Sequence, residues 1–163
     1  MISKQKIFIV IVLISIGLNF TSQYFLTFEN FVTIFLAMSI EGTIAIGMTY
    51  VIIAGEIDLS VGATMSIASV FAILFQTFGI IPGVLAGIGI GTVVGFLNGV
   101  IVTRLKAASI STTIGMMVFL TGVVFVLTGK NSIRGTNEGF ALITTPEVAS
   151  IPIMVIIFLV INV

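Results

Sequence analysis

The chain has 163 residues, of which 58% are hydrophobic and only 7% are charged, and its formal net charge is zero. A soluble domain of this size needs a more charged surface, so the composition predicts an integral membrane protein. The absence of cysteine and histidine excludes disulfides and thiolate metal sites and removes the commonest general base, and the balanced charge offers no basic patch for nucleic acid.

The first predicted span is the apolar run from Ile7 to about Phe20, which follows Lys4 and Lys6. A basic start followed by an apolar run is also typical of a signal peptide, but no small-x-small cleavage site follows. We interpret the segment as an uncleaved signal anchor whose N-terminus is cytoplasmic by the positive-inside rule. The polar and aromatic residues 21–30 then predict an interfacial belt on the outer side.

The second predicted span runs from about Phe31 to Ala54, and Glu41 falls near its middle. At ~1.5 Å per residue this run is long enough to cross the ~30 Å hydrocarbon core. A charge at that depth costs at least ~2.5–3.5 kcal/mol on insertion scales, so Glu41 is expected to face the bundle interior. A structural hydrogen bond to another span and a role in a solute pathway are equally compatible with this position.

A polar junction separates the second and third spans between Gly55 and Gly62, where Glu56 and Asp58 stand beside Ser60. Gly55 suits the left-handed position that ends a helix, and Asp58 or Ser60 suits the N-cap of the next one. One interpretation is a plain helix–turn–helix joint. The other is a polar element that lines a substrate path or contacts a partner subunit.

The third span is predicted from about Val61 to Phe78, and the fourth from near Pro82 to the basic residues Arg104 and Lys106, which mark a cytoplasmic loop. In the fourth span glycine recurs every four residues, along one ridge of a helix. We interpret this ridge as a close helix-packing surface rather than as a flexible hinge for alternating access. Its members are Gly83, Gly87, Gly91, Gly95 and Gly99.

The fifth span is predicted to end near Thr128. Its start is rich in hydroxyl groups, which suit capping or back-bonding more simply than a polar path for a solute. These hydroxyls belong to Ser109, Ser111, Thr112 and Thr113. The polar loop from Gly129 to Ser150 is then expected outside, by alternation of the spans.

The sequence thus predicts an all-α fold, a polytopic transmembrane helical bundle with about five full spans and the start of a sixth. The sixth apolar segment, from Pro152 to Val163, gives only ~18 Å of helix. We interpret residues 1–163 as a single transmembrane domain that is truncated at its C-terminus.

The run GMTYVIIAGEIDLSVG, residues 47–62, resembles the signature of ribose-type ABC transporter permeases, whose usual form is G-M-T-x-V-I-x-x-G-G-I-D-L-S-V-G. Glu56 stands where a second glycine is commonest, so this chain adds an acidic group at the turn. Shorter similar segments lie at residues 24–31, 95–102 and 114–117. The signature positions are Gly47, Met48, Thr49, Gly55, Glu56, Ile57, Asp58, Leu59, Ser60 and Gly62.

The resemblance implies a non-enzymatic permease subunit of a bacterial importer for ribose or a related monosaccharide, in the cytoplasmic (inner) membrane. It implies a second permease subunit, as a homodimer or heterodimer, together with cytoplasmic ATPase subunits and an extracytoplasmic sugar-binding protein. No cofactor, metal or nucleic acid is expected. The sequence has no G-x-x-x-x-G-K-[ST] loop for ATP, so the ATPase partners would hydrolyse the nucleotide.

Two other functions compete with this interpretation. A standalone ion-coupled secondary transporter or channel would use Glu41, Glu56 and Asp58 as cation or proton sites. An intramembrane enzyme is disfavoured, because the chain has no histidine or cysteine and no Ser–Asp pair at mid-span. Pentoses, hexoses and signalling sugars all remain candidate solutes.

Overall fold

A computed structural model describes residues 4–137, 147–148 and 151–161. Within this part of the chain the fold is a helical bundle, as predicted. Its helices are α1 (Lys4–Thr21), α2 (Phe28–Ile53), α3 (Val61–Phe75), α4 (Ile80–Thr103), α5 (Ser109–Thr128) and α6 (Ile153–Ile161). A 3₁₀ turn, Gln76–Phe78, extends α3, and two-residue strands β1 (Glu147–Val148) and β2 (Ile151–Pro152) pair antiparallel before α6.

Four of the five predicted full spans are confirmed by length and composition. They are Phe28–Ile53, Val61–Phe78, Ile80–Thr103 and Ser109–Thr128. The apolar helix Lys6–Thr21 within α1 is shorter than these, and the first predicted span stays a prediction. Many large apolar side chains on these helices face outward, which a soluble surface would not tolerate and a bilayer requires.

The ends of the helices follow from local sequence. Thr27 caps α2, because its side chain accepts a hydrogen bond from the N–H of Asn30 at 3.3 Å. At the other end of α2, Gly55 has φ +80°, and the N–H of Glu56 donates to the carbonyl of Val51 at 3.1 Å. This is the Schellman arrangement, and it confirms the prediction that Gly55 ends the second span.

Helices α3, α4 and α5 pack together, and we call them the three-helix unit. Its buried core consists of Ala63, Ile67, Val94 and Leu120. In contrast, α2 packs mainly on α6, where Gly42 lies against the ring of Phe158. A cleft therefore separates α2 from the three-helix unit, and the polar junction between α2 and α3 lies at one end of it.

The glycine ridge of α4 makes a close helix contact at one level. A Cβ added to Gly87 would lie 3.1 Å from the carbonyl oxygen of Ala68 on α3, so glycine is needed there for the two backbones to approach. Gly83 is buried. A Cβ added to Gly91, Gly95 or Gly99 would meet no atom of the described residues within 4 Å, so close packing at these three positions stays a prediction.

Candidate functional site

Residues 54–60, which we call the signature loop, connect α2 to α3 and lie at the same end of the bundle as the basic loop after α4. The loop contains both acidic residues of the junction, Glu56 and Asp58, and both are half-buried. Its last residue, Ser60, is fully buried. The end of the loop that leads into α3 is thus packed, whereas the side chains of Ile57 and Leu59 are exposed.

Asp58 fixes the turn that leads into α3. Its Oδ1 accepts hydrogen bonds from the backbone N–H of Ser60 at 2.7 Å and from the Ser60 hydroxyl at 2.6 Å. An aspartate that accepts from the N–H two residues on forms an Asx-turn, and its negative charge also suits the positive end of the α3 dipole. Ser60 occupies the N-cap position, but its side chain makes no capping hydrogen bond. Asp58 bonds to Ser60 rather than to an N–H of α3, so it shapes the turn and does not cap the helix.

Asn98 on α4 joins this turn from 38 residues away. Its Nδ2 donates to the Ser60 hydroxyl at 2.8 Å and lies 3.5 Å from Oδ2 of Asp58. Asn98 is only 5% exposed, and its Oδ1 is buried without a hydrogen-bond partner in the described structure. Asp58, Ser60 and Asn98, which we call the polar cluster, therefore hold the signature loop against α4.

Helix α5 holds the other side of the signature loop through two hydroxyl groups. The N–H of Leu59 donates to Oγ1 of Thr113 at 3.1 Å, and the N–H of Ile57 donates to Oγ of Ser109 at 3.4 Å. Thr113 also back-bonds to the carbonyl of Ser109 at 2.8 Å. The N-cap residue of α5 is Ala108 and uses no side chain, so these hydroxyls satisfy backbone N–H groups of the loop instead of capping their own helix.

Two cavities flank the polar cluster within the cleft. The first, about 350 Å³, lies between α2, α3 and α4, and the second, about 360 Å³, lies between the C-terminal turns of α2 and α4 and the start of α5. Val51, Asp58 and Gly95 line both cavities. Asp58 therefore stands at the place where the two cavities meet.

The three acidic residues predicted as pathway candidates differ in whether they line the cavities. Glu56 and Asp58 both line the second cavity. Glu41 is exposed on α2 and lines neither of these two cavities. The expectation that Glu41 faces the bundle interior is thus not met among the described residues, because α2 stands apart from the three-helix unit.

Asn98 and the acceptor role of Thr113 were missed by sequence reasoning. The available signal was an asparagine within an otherwise apolar and small-residue helix, because such a side chain in a membrane span needs a polar partner. The identity of its partner depends on how α3 and α4 pack, which no local pattern specifies.

Comparison with known proteins assigns the chain to a family. Residues 30–163 match the family described as branched-chain amino acid transport system / permease component. The chain is 33% identical to the ribose import permease of Haemophilus influenzae over 159 residues, which cover 92% of the chain and 48% of that protein. It is 29% identical to the D-allose transport system permease of Escherichia coli over 157 residues, covering 94% and 48%.

A third relative is the L-arabinose ABC transporter permease of Azospirillum brasilense, at 29% identity over 142 residues, covering 86% of the chain and 42% of that protein. The chain thus spans about half the length of the curated relatives it matches. No solved structure matches it significantly.

The fold and the matches show the class of protein: the chain is a multi-pass protein of the inner membrane and a transport permease. The chain belongs to the branched-chain amino acid transport system / permease component family, and the relatives reported above are permeases named for sugars. The resemblance carried by residues 47–62 is thereby confirmed.

Proposed function

We propose that the chain forms the membrane-spanning permease part of an ATP-binding-cassette importer that moves a monosaccharide, such as ribose or a related sugar, across the cytoplasmic membrane. The observation that carries the proposal is the signature loop, a polar element that lines two cavities within an apolar bundle. The relatives named for ribose, allose and arabinose supply the class of solute.

The work of transport would be divided among several subunits. Cytoplasmic ATPase subunits would supply the energy, a sugar-binding protein outside would deliver the solute, and a second permease subunit would complete the membrane part. The permease itself would act passively, by rearranging helices when the ATPases close. The cleft between α2 and the three-helix unit offers a surface along which such a rearrangement can occur.

The competing function, an ion-coupled transporter or channel, would require its acidic residues to converge on one path. Glu56 and Asp58 share a cavity, but Glu41 lies outside both cavities. In addition, the described residues contain no group of three or more acidic, histidine or cysteine side chains that is suited to a metal ion. Support for the ATP-driven importer comes from the relative that is named as an ABC transporter permease.

The energy source separates the two functions experimentally. Two samples are prepared, each with the neighbouring ATPase and binding protein. One contains the chain as it stands, and the other also contains the product of the coding sequence adjacent to it in its genome. Uptake of labelled ribose, arabinose and allose into proteoliposomes is then measured with and without enclosed ATP. We expect uptake to require both ATP and the binding protein. Uptake driven by a sodium or proton gradient without ATP would instead establish the ion-coupled transporter.

A further inference from the structure

The polar cluster has hydrogen-bonding capacity left over, and all of it is of one kind. Both hydrogens of the Asn98 amide are directed at partners, and the Ser60 hydroxyl donates to Asp58 while accepting from Asn98. What remains is Oδ2 of Asp58, with a single contact at 3.5 Å, and Oδ1 of Asn98, with no partner in the described structure. The cluster can therefore accept further hydrogen bonds but has no side-chain donor to give.

These acceptors belong to residues that line a space of ligand size. Cavities of roughly 300–1,000 Å³ are typical of small-molecule sites, with apolar walls and few polar groups. Both cavities of the cleft fall in this range, and Asn98 and Asp58 line the second one together. Gly95 and Gly99 contribute no side chain to its α4 wall, which keeps the space in front of the cluster open.

We propose that the polar cluster is a solute-binding site in which the Asp58 carboxylate accepts hydrogen bonds from hydroxyl groups of the transported sugar. This inference rests on the proposed function. Ser60 and the Asn98 amide are positioning groups, since they orient the carboxylate. A sugar hydroxyl is a donor that needs only one or two acceptors, whereas a hard cation such as Ca²⁺ requires six to eight oxygen ligands.

Oδ2 of Asp58 has a single contact, at 3.5 Å, so the carboxylate can accept a further hydrogen bond from a donor in the cavity. A hydroxyl group of a bound solute would supply that donor while the site is occupied. The site would therefore favour polyhydroxylated solutes over apolar ones that fit the same cavity. Its selectivity would come from hydroxyl positions rather than from size.

The first test measures occupancy without altering the cluster. The chain has no cysteine, so Gly95→Cys, at the meeting point of the two cavities, can be labelled uniquely with a small thiol reagent. The matched control is Gly89→Cys, an equally open glycine of α4 that lines neither cavity. In the assembled, ATP-supplied transporter we expect the transported sugar to slow labelling several-fold at position 95 only. Equal labelling rates with and without sugar at position 95 would overturn the proposal.

The second test pairs changes in the protein with changes in the sugar. Initial uptake is measured for whichever of ribose, arabinose and allose is transported, and for its single deoxy analogues, in the wild type, Asp58→Asn and the control Ser69→Ala. A deoxy analogue that cannot donate to Asp58 loses a hydrogen bond to a charged group. In the wild type its uptake should therefore be about ten- to hundredfold slower than that of the parent sugar. We expect Asp58→Asn to reduce that discrimination to about twofold and Ser69→Ala to retain it.

Selection by the binding protein is common to all variants, so it cancels in this comparison. If Asp58→Asn transports the parent sugar but discriminates among the analogues as the wild type does, the cluster is structural only. The exchange variant Asp58→Asn/Asn98→Asp covers the case in which the single variant fails to assemble. Absence of any sugar uptake by the wild type would instead overturn the proposed function, and this inference with it.

Discussion

The carboxylate of Asp58 and the side-chain amide of Asn98 meet across 40 residues of sequence, with Oδ2 3.5 Å from Nδ2. The same carboxylate accepts two hydrogen bonds from Ser60, the residue that precedes α3. Asp58 thus joins a local turn to a long-range contact. The two roles demand different chemistry, because an asparagine at position 58 can serve the turn but presents a donor to the donor of Asn98.

We therefore expect Asp58→Asn to lower the stability of the bundle by about 1–3 kcal/mol, measured as thermal unfolding in detergent. Asn98→Asp should be as harmful, because it places two carboxylates together. The double variant Asp58→Asn/Asn98→Asp again sets a donor against an acceptor and should recover part of the loss, because an aspartate at position 98 cannot donate to the Ser60 hydroxyl. Additive losses in the double variant would show that the two side chains do not interact.

The control for this series is Glu56→Gln. Glu56 lines the second cavity, but no hydrogen bond of its side chain is present in the described structure, and the related signature commonly has glycine there. We expect its unfolding temperature to stay close to that of the wild type. A loss equal to that of Asp58→Asn would mean that charge in the loop matters more than the contact with Asn98.

Gly55→Ala tests the turn that ends α2. Its φ of +80° lies in the left-handed region, which costs a residue with a Cβ about 1–2 kcal/mol. Gly62→Ala is the matched control, because Gly62 is helical and has open space around it. Replacing a helical glycine by alanine should be neutral or stabilising by up to about 1 kcal/mol. Chemical or thermal unfolding of both variants checks the contrast, and equal effects would contradict it.

Gly87→Leu tests the close approach of α3 and α4. A side chain at Gly87 must displace the backbone of Ala68, whose carbonyl oxygen would lie 3.1 Å from the new Cβ. We expect a loss of about 1–3 kcal/mol or failure to assemble. Gly91→Leu, one turn further along the same ridge, meets no described atom within 4 Å. If Gly91→Leu proves equally harmful in detergent, a neighbour outside the described residues packs at that level.

Single cysteines in this cysteine-free chain test the topology. Leu105→Cys, between the basic residues Arg104 and Lys106, should react only with reagents that reach the cytoplasm. Asn131→Cys, after α5, should react with an impermeant reagent added outside. The loop after α5 lies at the opposite end of the bundle, since the N–H of Asn137 donates to Oε1 of Gln76 at 3.3 Å. Labelling of position 105 from outside would invert the orientation.

The parts of the fold that depend on nearest neighbours could be predicted from the sequence. The apolar runs predicted the positions of α2 to α5, and Gly55 predicted the end of α2, because hydrophobic length and backbone conformation are local properties. The partners of Asp58 and Leu59 could not be predicted, because they lie on α4 and α5 and their alignment depends on helix packing. The glycine ridge could be predicted only in part. Its four-residue spacing is visible in the sequence, but the contact of Gly87 with α3 depends on helix packing.

The signature loop also has a consequence for the order in which the protein is assembled. The N–H groups of Ile57 and Leu59 find their acceptors 52 and 54 residues downstream, on α5. While the ribosome is still synthesising α4, those acceptors do not exist, and the two donors must remain hydrated or be shielded by the insertion machinery. The loop therefore reaches its final conformation only after α5 enters the membrane, which makes it a late step of biogenesis rather than an early one.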